Sequence, residues 1–162
     1  MADDTAGSGP LEPSRWYLVF SRDTDRRFLR WLAMGRYKHV SAVGFIPGEK
    51  LWIFVDPRIK RTVIEAVRDG KLAEARLALA FGSHDVLVLP ANEPARFRLR
   101  AGLWCVPIVA HLVGVASCAL RPDAFYRDCL AAGAEIIPLE GDADGHVRSA
   151  EAEDRPGATA GA

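Results

Sequence analysis

"KHVSAVGFIPGEKLWIFVDP" (residues 38–57) is the stretch from which the fold is read. Two apolar runs, 38–46 and 51–57, are rich in β-branched and aromatic side chains and are separated by Pro-Gly-Glu-Lys, a turn composition. The pattern predicts a β-hairpin. With a loop of two or four residues, positions whose numbers sum to 97 stand opposite one another, so His39 faces Arg58 and Ser41 faces Asp56. Side chains alternate along a strand. His39, Ser41, Asp56 and Arg58 therefore share one face, with Asp56 the diagonal neighbour of His39. A loop of odd length would put imidazole and carboxylate on opposite faces.

Working outward, "RWYLVFS" (15–21) reads as a strand. "DTDRRFLRWLAM" (23–34) reads as a helix, with an acidic start, Phe28, Leu29, Leu32 and Ala33 at helical spacing, and Gly35 as its stop. Residues 61–67 read as a strand, although the same letters could open a helix. Residues 69–82 form an amphipathic helix ended by Gly82, and 84–90 a strand. The basic segment 95–100 is extended, and "LWCVPIVAHLVGV" (103–115) starts a helix at Cys105. A further helix covers 122–132, stopped by Gly133, and a last strand follows. There is no internal repeat and no regular β-α-β alternation, so the expected class is α+β with a mainly antiparallel sheet around the central hairpin.

The chain has 162 residues and a formal net charge of zero, unevenly spread. Residues 1–14 and 141–162 are small, acidic and poor in large apolar side chains, and read as disordered tails. A single domain is expected over 15–140. Residues 15–139 hold nineteen basic and twelve acidic side chains, a net charge of +7. The basic residues are scattered and lack the interleaved aromatics of a stacking platform, which argues against a nucleic-acid partner. Cys105, Cys118 and Cys129 show neither a disulfide framework nor zinc spacing, and a site built from Cys118, Cys129 and His111 has no recognisable ligand pattern. No metal or cofactor is expected. The start lacks a signal peptide, and the most apolar stretch, 103–120, is interrupted by His111, so the expectation is a cytoplasmic chain with no membrane span.

Cys105 can be read in two ways. A free cysteine is commonly a small buried hydrophobe. At a helix start it can also be a reactive thiol, and a nucleophile needs a base within reach and a third group to orient that base. His146 lies in the C-terminal tail, His84 reads as a surface turn residue, and His111, six residues on along the helix, points away from Cys105. His39 remains as the base, with Asp56 beside it. Asp56 also precedes Pro57 and could equally start a turn.

"YKHVSAV", "LWIFVDP" and "WCVPIVAHLVG", followed by "LRPDAFYRDCL", resemble in order and spacing the circularly permuted papain-like cysteine peptidases and amidases, which include small bacterial and phage proteins. The resemblance covers about residues 15–137 and implies a papain-like fold. It also implies Cys105 as nucleophile, His39 as general base and later acid, and Asp56 as orienter. The backbone N–H of Cys105 would supply one oxyanion donor. Trp104 reads most simply as core, with the lining of a substrate cleft beside the thiol as the alternative. The implied activity is thiol-dependent hydrolysis of an amide, peptide or isopeptide bond. The alternative is a non-catalytic interaction or assembly module, phage-related, that keeps the fold without the chemistry.

Overall fold

The computed structural model describes residues 11–22, 35–58, 60–82, 84–91 and 104–138. Among these, six strands form one sheet: β1 (Arg15–Ser21), β2 (His39–Ile46), β3 (Leu51–Pro57), β4 (Thr62–Arg68), β5 (Asp85–Pro90) and β6 (Glu135–Ile137). Their spatial order is β4-β3-β2-β1-β5-β6, and every neighbouring pair is antiparallel. Three helices accompany them: α1 (Lys71–Phe81), α2 (Cys105–Leu112) and α3 (Pro122–Ala131).

The hairpin forms in the predicted register, with Ala42 opposite Val55 and Ile46 opposite Leu51. The loop between the strands has four residues, closed by a 3.2 Å bond from the Lys50 N–H to the Pro47 carbonyl, and Lys50 takes a left-handed φ of 49°. The Lys50 carbonyl accepts the Asp69 N–H at 2.7 Å, and the Asp69 carboxylate accepts the Trp52 indole N–H at 3.1 Å. The turn is thus tied to the end of β4.

β1 and β2 lie inside the sheet and are covered on both faces, which is why they read as nearly continuous apolar runs. Alternate residues divide between two cores. Trp16, Leu18, Phe20, Val40, Ala42, Leu87 and Leu89 pack against Val106, Val109, Phe125 and Cys129 of α2 and α3. Val19, Val43 and Val86 point the other way, with Tyr17, Trp52 and Phe54, toward Leu77 and Phe81 of α1. Gly44 stands opposite Trp16, and a Cβ there would come within 2.8 Å of the indole ring.

The strands expected at 15–21, 61–67 and 84–90 and the helices expected at 69–82, from Cys105 and at 122–132 all form, with ends within two residues of expectation. The helix expected at 23–34 and the extended segment 95–100 lie outside the described residues, as do 1–10 and 139–162. Ser14, assigned by sequence to the N-terminal tail, donates its N–H to the Phe45 carbonyl at 2.9 Å and accepts the Ala91 N–H at 3.2 Å. The packed chain therefore begins before Arg15.

The expected circularly permuted papain-like fold is corrected by this topology. The described residues make one antiparallel six-stranded sheet with helices of eight to eleven residues, which fits α+β loosely and shows no papain-like fold. The physical reason lies in where the apolar side chains go. The apolar runs at 15–21, 39–46 and 84–90 are used by strands of one sheet, and α2 and α3 pack their buried faces against it.

The two cores predict an asymmetric response to truncation. Leu87, fully buried, should cost about 2–5 kcal/mol as Leu87→Ala. Ile64, 68% exposed on the edge strand, should stay within about 0.5 kcal/mol as Ile64→Ala. Urea unfolding of the two variants checks the contrast.

Candidate functional site

β2 begins and β3 ends at one end of the sheet, and the hairpin register makes His39 and Asp56 diagonal neighbours there. His39 Nε2 lies 2.6 Å from Asp56 Oδ1, and Arg58 Nε donates to Asp56 Oδ2 at 2.7 Å. Asp56 is therefore gripped on both oxygens. The hydrogen bond from His39 pulls its pKa below the usual carboxylate value against the opposing effect of burial, and Arg58 adds to the lowering. The imidazole and carboxylate stay 28% and 30% exposed, within reach of a ligand.

At the head of β2, Ser21 stands opposite His39, and the N–H of Lys38, the residue before the strand, donates to the Ser21 carbonyl at 2.8 Å. Strand alternation groups His39 with Ser41 and Val43, on the face away from α2. Cys105, the first residue of α2, nonetheless lies close enough to the imidazole to act on its pKa.

α2 starts after Trp104, which is extended (φ −121°, ψ 179°) and offers no side-chain cap. Pro107 sits in the first turn, where its missing N–H costs nothing. The first intrahelical bond runs from the Ile108 N–H to the Trp104 carbonyl at 3.4 Å, so the Cys105 and Val106 N–H groups precede the i→i−4 ladder. Cys105 is half-buried, and its thiol lies close enough to the His39 ring to act on the ring's pKa. Burial works to lower the pKa of His39. The hydrogen bond to Asp56 and the nearby Cys105 thiol, with the negative charge both can carry, outweigh it and push the value up to about 9. With Nε2 on Asp56, Nδ1 is the nitrogen left to exchange a proton with the thiol. Cys129 shows the contrast: fully buried on α3, its thiol is pushed up to about 12 by burial, with the nearby Asp128 charge adding. Cys118 is exposed.

Of the residues singled out by sequence as nucleophile, base and orienter, His39 and Asp56 are hydrogen-bonded and Cys105 lies near the His39 ring. Trp104 packs against the helical core, and its indole N–H is buried without a partner among the described residues. His84, set aside by sequence as a turn residue, stands near enough to His39 for their charges to interact; burial lowers its pKa, Asp85 opposes this, and His39 adds to the lowering. Only the pairing of β5 with β1 brings it there, and that long-range pairing leaves no local mark in the sequence. Among the described residues no three His, Cys, Asp or Glu side chains gather as metal ligands would, and no helix is long and apolar enough to cross a membrane. His146 lies outside the described residues. Compared with protein-family models, curated proteins and solved structures, the chain gives no match.

The pKa of His39 is raised above the ordinary histidine value of about 6.5. Its contribution to stability is therefore complete below pH 6.5 and is lost as pH rises toward 9. The ring-proton shifts of His39 should titrate with a midpoint near 9, and Asp56→Asn should lower that midpoint. The loss of stability over the same pH interval should flatten in His39→Ala.

Proposed function

We propose that this protein is a thiol hydrolase that cleaves an amide bond of a peptide or isopeptide substrate through Cys105, His39 and Asp56. The observation that carries this reading is an imidazole bonded to a carboxylate that is itself held by a guanidinium, with the thiol of a helix-start cysteine close to the same ring. The order of the three motifs along the chain, similar to that of permuted cysteine peptidases and amidases, points the same way.

His39 takes the Cys105 proton on Nδ1, and the resulting imidazolium is stabilised through Nε2 by Asp56. The thiolate adds to the substrate carbonyl, and the negative oxygen lies toward the first N–H groups of α2, where the helix dipole favours it. His39 then gives its proton to the leaving amine as the C–N bond breaks, leaving a thioester on Cys105. Water, deprotonated by His39, cleaves the thioester, releases the acid and restores the thiol. Arg58 keeps Asp56 ionised and correctly turned throughout.

Iodoacetamide labelling resolved by peptide mass spectrometry tests this, with the exposed Cys118 as a reference thiol on the same chain. At pH 6.5 Cys105 should label at least about 10-fold faster than Cys118, and His39→Ala should abolish the advantage. Cys105→Ala should remove hydrolysis of activated ester and amide substrates. Labelling of Cys105 no faster than Cys118, or indifferent to His39, contradicts the proposal and leaves a non-catalytic module.

A further inference from the structure

The four residues leading into His39 are held more firmly than a strand entry requires. Gly35 has φ 131°, a backbone conformation open to glycine and strained for other residues. A Cβ on it would lie 2.1 Å from Asp123 Oδ2, so the carboxylate sits directly on the glycine. Asp123 Oδ1 accepts the N–H of Arg36 at 2.7 Å and of Tyr37 at 3.2 Å. The Tyr37 side chain is buried between Phe20 and Tyr126, with ring centroids 5.3 and 4.9 Å away. The Lys38 ammonium returns to the Gly35 carbonyl at 2.7 Å, and its backbone N–H donates to the Ser21 carbonyl at 2.8 Å. His39 is the next residue.

Asp123 lies in the first turn of α3, where an acid complements the helix dipole. A carboxylate accepting two backbone N–H bonds from a segment 86 and 87 residues away does more than cap its own helix. We infer that Asp123 is a positioning residue for the general base: seated on Gly35 and holding Arg36 and Tyr37, it fixes the chain that delivers His39 to Asp56 and Cys105. The inference rests on the thiol–imidazole reading above for its catalytic meaning, while the geometry it asserts can be tested alone.

The test uses the full chain and reads two quantities, the titration midpoint of the His39 ring and the iodoacetamide labelling of Cys105. The charged and titratable groups facing His39, namely Asp56, Cys105 and His84, are left intact. In Asp123→Ala the midpoint should fall from about 9 toward the unperturbed value of about 6.5. Labelling of Cys105 at pH 6.5 should slow by about 10-fold or more. Asp123→Asn keeps an oxygen for both N–H groups and should stay within about threefold of the parent. A purely electrostatic role would make Asp123→Asn as damaging as Asp123→Ala and would overturn the inference.

Cys129, fully buried on the same helix, reports whether α3 stays packed. If Asp123→Ala exposes Cys129 to labelling, Asp123→Ser replaces it: serine still suits a helix start but is too short to hold both N–H groups. The same fall is expected, and an unchanged midpoint in the packed variant overturns the inference. If His39→Ala leaves Cys105 labelling unaltered, the thiol–imidazole reading fails instead, and the His39 midpoint in the Asp123 variants still decides whether Asp123 positions the ring.

Discussion

The register of β2 against β3 is the constraint on which the site depends. A four-residue loop, closed by the Lys50 to Pro47 bond, puts Ala42 opposite Val55 and carries Asp56 to the diagonal of His39. A slip of one residue would turn every side chain of one strand to the other face. It would send Asp56 away from the imidazole and Val55, now buried, into the place of a polar neighbour. Core packing and site geometry therefore enforce the same register. The Asp69 contacts to Lys50 and Trp52 tie that choice to β4 as well.

Three carboxylates organise this end of the sheet, each in a different way. Asp56 orients the imidazole and is backed by Arg58. Asp85, at the start of β5, receives Arg22 on both oxygens and Arg36 beside it. Asp123 takes backbone N–H groups rather than a charged side chain. The three thiols are likewise sorted by surroundings. Cys129 is buried in the core, Cys118 lies at the surface, and Cys105 alone stands at a helix start against a histidine.

The hairpin and its register were legible because both are local: strand alternation has a period of two, and the loop length is written in four consecutive residues. Cys105 at the start of α2 was legible from Pro107, which suits only the first turn. The long-range arrangement was not. Nothing local says that β1 sits between β2 and β5 or that His84 comes near His39. The short motifs behind the papain-like expectation record two strands and a helix start, which many topologies can share. They do not specify the sheet that sets His39 against Asp56.

The central claim is that one imidazole is shared between Asp56 and the Cys105 thiol. The most direct measurement follows the His39 ring signals by NMR against pH in the intact protein and in Cys105→Ala. The account predicts a midpoint near 9 that moves down when the thiol is removed, because the thiol and its charge help hold the ring protonated. The same midpoint in both proteins would contradict it and reduce the pairing to a structural His39–Asp56 contact.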